Sequence, residues 1–184
     1  MYPSKVMLMP GFFVLVAFLL LVLPLPWVIA MILGAAIHEL GHIAALRILR
    51  IPVYQMRIRC TGAYLDTGIM TPVQEILCAA SGPIAGLMML LLGPILPKTA
   101  FVCLVHSLFN LLPVYPFDGG RILRGIICKI FGEHQTVAVQ KWIRWGSGIV
   151  LIFLVLLFLP MVGAAGIAVV VLMIVRTVAD RQTN

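Results

Sequence analysis

The sequence predicts an all-α polytopic membrane protein of about six transmembrane helices, with a short β-hairpin-like cytoplasmic segment. Three observations carry that reading. The 184 residues are 62% hydrophobic and only 10% charged, outside the range of an ordinary soluble domain. The apolar residues fall into stretches of about membrane-crossing length, separated by prolines and basic loops. When those stretches are threaded in order, the basic residues collect on one side. The net charge of +7 lies beside apolar stretches with no aromatic interleaving. It therefore reads as membrane orientation and contact with anionic lipid, and excludes nucleic acid as a partner.

The apolar stretches run over roughly 6–23, 27–49, 72–96, 99–113, 145–159 and 161–176, with breaks at Pro24 and Pro26, Pro97-Lys98 and Pro160. The first resembles a signal peptide, but Pro24-Leu25-Pro26 follows where a small-residue cleavage site would stand, so 1–26 reads as a retained extra span. The third has a clear start: Thr71 can cap, Pro72 suits the first helical position and Gln74 completes a capping box. The fourth is short, rising only about 22 Å against a hydrocarbon core of about 30 Å. The loop after it should therefore begin below the membrane surface, where irregular backbone must line a cavity or be covered by protein. The last two stretches place two C-terminal spans in 136–184.

Segment 51–70 breaks the helical pattern. Val53 to Arg59 roughly alternates apolar and polar residues, and Gly62 to Leu65 follows a turn. A short β-hairpin and a connecting loop with an amphipathic edge both fit. Of the 13 lysines and arginines, only Lys98 falls opposite the rest, which puts both termini in the cytoplasm of a multi-pass protein, a bacterial cell membrane being its setting. Residues 1–184 read as one membrane-embedded domain with its core at 27–125. Cys60, Cys78, Cys103 and Cys128 stand singly and read as buried small hydrophobes.

The chemistry lies inside the second stretch, in His38-Glu39-Leu40-Gly41-His42. Two histidines four residues apart on a helix share a face and can hold one Zn²⁺, with the glutamate placed to activate a water on it. The residues on both sides are apolar all round, and ionisable groups at that depth are costly unless they line a cavity or bind a partner. A catalytic zinc needs a third protein ligand. Asp118, in Asn110-Leu-Leu-Pro-Val-Tyr-Pro-Phe-Asp118-Gly119-Gly120, is the best candidate, because the other acids lie in loops, tails or at the cytoplasmic surface. Taken alone Asp118 would read as a helix N-cap. Paired with the histidines at matching depth it reads as a ligand, to one zinc ion per chain.

These two motifs resemble those of the site-2 protease family of intramembrane zinc metalloproteases, and Ala80 to Gly86 resembles the small-residue motif of that family's middle core helix. The likeness covers about 27–125. It implies zinc ligation by His38, His42 and Asp118, with Glu39 as general base and then proton donor. It implies that Asn110 positions substrate or stabilises the oxyanion, and that the segment at 51–65 pairs with an unwound substrate strand. The expected activity is regulated intramembrane proteolysis of single-span membrane proteins near their cytoplasmic end. A membrane-bound pro-transcription factor or anti-sigma factor, and a membrane regulatory partner, fit that expectation. The family's frequent PDZ domain and its CBS domain are not found, so the likeness is to a minimal member, similar in core to the sporulation-type proteases.

Two further residues are candidates for contacts just outside the ligands. His106 would share a face with Asn110, its ordinary reading being a buried histidine bonded to a nearby carbonyl. Arg121 could reach the Asp118 carboxylate, its ordinary reading being a side chain snorkelling to the cytoplasm. Ser81, Gly82, Pro83 and Gly86 read chiefly as residues that permit close helix packing. The rival function is a non-catalytic relative that binds metal or membrane proteins, against which Glu39 argues. A metal transporter would show more ionisable residues facing one another across the spans. A zinc protease acting on cytosolic loops fits the depth of the second motif poorly.

Overall fold

The computed structural model describes residues 5–60, 62–114 and 117–132, together with 145, 146 and 149. The elements in order are β1 (Val6–Leu8), α1 (Pro10–Val22), α2 (Leu25–Ile48), β2 (Val53–Arg59), β3 (Gly62–Thr67), α3 (Pro72–Met88), α4 (Pro97–Asn110) and α5 (Asp118–Phe131), with one 3₁₀ turn over Met89–Leu92. The chain is mostly helical, with a small three-stranded sheet. The two C-terminal spans expected at 145–159 and 161–176, and with them the segregation of Lys141, Arg144, Arg176 and Arg181, lie outside the described residues.

Among the described residues, two helices are long and apolar enough to cross a membrane, Leu25–Ile48 and Pro72–Leu92. The 24 residues of α2 rise about 36 Å, enough for a hydrocarbon core of about 30 Å. The first expected span is corrected. Its opening residues form β1 and its helix is only 13 residues long, about 20 Å. Proline at position 10 is the cause: it disfavours helical backbone at the residue before it, and Met9 is extended at φ −83° and ψ 149°. The fourth expected span is short, as its sequence indicates, with 14 helical residues in α4.

Much of the helical surface that is not packed is apolar. Phe13, Val14 and Leu21 on α1, and Leu91 beyond α3, are all exposed, and α1 buries no residue at all. A water-soluble monomer does not present apolar surface on that scale, whereas lipid is a matching solvent for it.

Segment 51–70 is a hairpin. Strands β2 and β3 pair antiparallel from Val53 opposite Thr67 to Arg59 opposite Gly62, with a bulge between Val53 and Gln55. Strand β1 joins the other side of β2 in parallel, giving the order β1-β2-β3 and leaving β3 with an unpaired edge among the described residues. One face of this sheet is anchored by Val53, which clusters with Leu46, Ile51 and Cys78. The entry into β2 is set by the end of α2. Arg50 sits in the left-handed region at φ 57°, Arg50 N–H donates to the Arg47 carbonyl, and Ile51 N–H donates to the Leu46 carbonyl. Those paired bonds, with Leu46 packed on Ile51, form a Schellman end to the helix.

Helix α3 begins as the sequence indicates. Thr71 Oγ1 accepts from Gln74 N–H, and Gln74 Oε1 accepts from Thr71 N–H. Helices α3 and α4 both pack on α2, and α5 packs on α3. The α2–α3 approach is close because Gly41 faces Gly82 and the Ser81 carbonyl, where a Cβ would collide with the backbone of α3. The four helices meet around the C-terminal half of α2, which carries the histidines.

Arg50 holds a conformation that costs a non-glycine residue about 1 kcal/mol. Arg50→Gly should therefore raise stability by about that amount in a denaturant titration of the detergent-solubilised protein, whereas Arg50→Ala should leave it near the wild-type value.

Candidate metal centre

His38 and His42 stand one turn apart on α2, and both are buried. The single turn brings their Nε2 atoms within 3.2 Å of one another. Asp118 comes to meet them from the first residue of α5. The capping position is held by Phe117, so Asp118 is not the N-cap that its sequence position alone suggests. Gly119 permits this start, because a Cβ there would run into the Leu111 and Leu112 carbonyls at the end of α4. Asp118 Oδ2 then lies 3.0 Å from His38 Nε2 and 3.2 Å from His42 Nε2.

The protonation of His42 can be read from its other nitrogen. Its Nδ1 lies 2.8 Å from the Cys78 carbonyl, an acceptor only, so Nδ1 carries the hydrogen and Nε2 presents a lone pair. Two imidazole nitrogens and a carboxylate oxygen thus face one point. Asp118 Oδ2 is buried and accepts no hydrogen bond. Acceptors so arranged repel unless a cation lies among them. Zinc held tetrahedrally at about 2.0–2.1 Å would set its ligand atoms about 3.3 Å apart, close to the separations seen here. Nitrogen and carboxylate ligands also suit zinc by type, and these three are the group among the described residues able to hold a metal.

The other carboxylate oxygen is tied back. Arg121 Nη1 donates to Asp118 Oδ1 at 3.2 Å from one turn further along α5. Burial pulls the Arg121 pKa down, but Asp118 and the Cys78 side chain more than compensate, so it lies above its ordinary value. Cys78 serves the centre through its carbonyl, which fixes His42. An α3–α5 tie, Arg124 to Glu75 at 3.7 Å, flanks it.

Glu39 lies between the two histidines in sequence, half-buried and within electrostatic reach of His38, His42 and Asp118. The Ala63 backbone of β3 lies near enough to act on its carboxylate. The free edge of the sheet thus lies against the glutamate.

The structure brings together His38, Glu39, His42 and Asp118, with Arg121 behind the carboxylate. His106 stands on α4 with its ring edge-to-face on His38, the centroids 4.6 Å apart. Asn110 ends α4, and its Nδ2 donates to the His106 carbonyl at 2.9 Å on its own helix. Three contributors escaped sequence reasoning. Cys78 acts through a backbone carbonyl, which leaves no mark on residue type. Ala63 does the same through its backbone. Gly82 did leave a signal, as part of the small-residue motif, but its neighbours are the imidazoles themselves. A Cβ at Gly82 would collide with His42 Nε2 and stand 3.0 Å from His38 Cε1.

Comparison with known proteins agrees with this geometry. The profile of peptidase family M50 matches residues 92–156, which include the Asp118 motif. A zinc metalloprotease of Methanocaldococcus jannaschii is 26% identical over 152 residues, covering 73% of this chain and 44% of that protein. A Synechocystis protein named provisionally as a zinc metalloprotease is 28% identical over 146 residues, covering 67% of this chain and 38% of that one. The solved site-2 protease of Methanocaldococcus jannaschii shares the fold, with a TM-score of 0.70 at 19% identity over 94% of this chain and 89% of that one. The chain is thus similar to peptidase family M50 in sequence and to a site-2 protease in fold. It spans less than half the length of the two curated relatives it matches. The apolar helices Leu25–Ile48 and Pro72–Leu92 are consistent with a membrane setting for such a chain.

Gly82→Ala would put a methyl group where the imidazole nitrogens converge. Zinc retained after dialysis should fall at least about 10-fold, measured by elemental analysis, while helix content by circular dichroism stays at the wild-type level. Full zinc occupancy in this variant would count against the converging atoms as the metal seat.

Proposed function

We propose that this chain is an intramembrane zinc endopeptidase, cutting single-span membrane proteins near their cytoplasmic end. The observation that carries the reading is the convergence of His38 Nε2, His42 Nε2 and Asp118 Oδ2, beside Glu39, within a helix apolar enough to cross a membrane. The curated relatives named as zinc metalloproteases support it. A zinc ion bound there supplies Lewis acidity, bringing a water's pKa toward about 7 and polarising the scissile carbonyl.

The chain's own residues do the rest. His38, His42 and Asp118 hold the ion, one per chain, and Arg121 keeps the Asp118 carboxylate turned so that Oδ2 faces it. Glu39 removes the proton from the attacking water and delivers it to the leaving amine nitrogen as the peptide bond breaks. The bond must first become accessible, because a helical substrate hides its carbonyls in its own hydrogen bonds. The unpaired edge of β3 beside Glu39 supports a route: an unwound substrate strand adds to β3 and regains backbone hydrogen bonds there. Asn110 would serve substrate only after releasing the His106 carbonyl. A membrane-bound pro-transcription factor or anti-sigma factor has the required single span, and a membrane partner could control access to the β3 edge. The basic residues at 47–59 and 121–129 support a cytoplasmic position for the site end of α2.

Glu39→Gln should lower cleavage by about 10²–10⁴-fold while leaving zinc content unchanged. The measurement compares cells expressing wild type or the Gln variant at matched levels and follows full-length single-span membrane proteins. Substrates that persist only with the variant are the expected result. Equal profiles, with zinc bound in both proteins, would overturn the proteolytic reading.

A further inference from the structure

A histidine that ligates a metal almost always donates its second ring N–H to a carbonyl or carboxylate, which fixes both tautomer and ring orientation. His42 obeys this through Cys78. His38 does not. Its Nδ1 is buried and has no hydrogen-bond partner among the described residues, the residue being only 3% exposed. What surrounds the His38 ring instead is a pair of perpendicular rings. His42 stands edge-to-face at 4.8 Å and 87°, and His106 at 4.6 Å and 89°.

Building on the metal-centre reading, we infer that His106 is a positioning residue, holding His38 in its ligating orientation by ring contact in place of the missing hydrogen bond. Rotation of the imidazole about its Cβ–Cγ bond sweeps its edge through the space on both sides of the ring plane. His42 is itself fixed by Cys78 and packs edge-to-face against the same ring. His106 comes from a different helix, α4, and meets the same ring at right angles. Aromatic pairs favour this perpendicular arrangement at centroid separations of about 4.5–7 Å.

The support extends one step further back. The His106 carbonyl accepts a hydrogen bond from Asn110 Nδ2, which bridges the last turn of α4 beneath His106. Next to it on α4, buried Ser107 fits against Gly86 of α3, where a Cβ would collide with Ser107 Oγ. The backbone that carries His106 is thus fixed by packing and by a side-chain bond. The two ligating histidines are held by different means: His42 by α3 through a hydrogen bond, and His38 by α4 through a ring.

The test uses the full chain purified in detergent, as wild type, His106→Ala, His106→Leu and His106→Phe. Zinc affinity is measured by competition with a chromophoric chelator, and the ligand field by visible absorption of the cobalt-substituted protein. His106→Ala and His106→Leu should each bind zinc about 10-fold more weakly and shift the cobalt bands. His106→Phe, which keeps a flat ring but has no nitrogen, should restore both to near wild type. The leucine variant fills the space without a ring, so it stays informative if the alanine variant does not fold. Wild-type affinity in the leucine variant would overturn the proposal. So would a phenylalanine variant as weak as leucine, since the nitrogen and not the ring would then matter. If the wild-type protein bound no zinc, the metal-centre reading would fall and this inference with it, an outcome that the wild-type control alone identifies.

Discussion

Three hydrogen-bond acceptors within 3.2 Å of one another, buried in a membrane-embedded protein, form the constraint on which the rest of the structure depends. In water such a cluster would be dispersed or protonated. In an apolar interior, each unpaired acceptor costs on the order of 1–3 kcal/mol, and a buried carboxylate without a cation costs more. A divalent ion turns that penalty into binding energy, because the same low dielectric strengthens every attraction to it. The scaffold must still hold the atoms together before the ion arrives, and much of the surrounding packing can be understood as that restraint.

The restraint comes from four helices with distinct duties. Helix α2 supplies two ligands on one face, and α5 brings the third by beginning at Asp118 instead of before it. Helix α3 contributes no ligand, yet it sets the geometry through what it lacks at Gly82 and what it offers at Cys78. Removing a side chain at one position lets a backbone lie directly against the imidazoles. A carbonyl one turn earlier then falls within reach of His42. Helix α4 stops after 14 residues, and that early stop allows the loop to turn Asp118 back toward α2.

The legible parts of the sequence were those where residue type and spacing carry the chemistry. The i, i+4 histidines, the capping box at Thr71 and the hairpin at 53–67 all have that character, and each is found in place. Asp118 required a choice between capping and facing the histidines, and pairing it with them gave the arrangement the structure has. The illegible parts acted through backbone or through absence. Strand β1 was hidden because Val6-Met7-Leu8 has the hydropathy of a span, and only Pro10 marked where helix could not extend backward. The Cys78 carbonyl and the Ala63 backbone belong to no residue type at all. Asn110 carries a bond that its motif position does not announce, to the His106 carbonyl of its own helix.

An apolar span and the proposed hydrolytic reaction make opposite demands on water, and the position of the centre bears on both. His42 lies six residues from the end of α2, about 9 Å along the axis, so the centre is nearer one membrane face than the middle. The chain at that end is not helical. It turns through Arg50 into a sheet whose outer strand reaches back along α2 to touch Glu39. Polar backbone edges are stable near lipid only where protein or water satisfies them, so a strand edge at this depth requires a wet, sheltered space. An entering strand would meet the sheet edge and the base together, exchanging hydrogen bonds with water for hydrogen bonds with β3. On the proposed reading, such an exchange would replace the backbone pairing that an unwinding helix must give up.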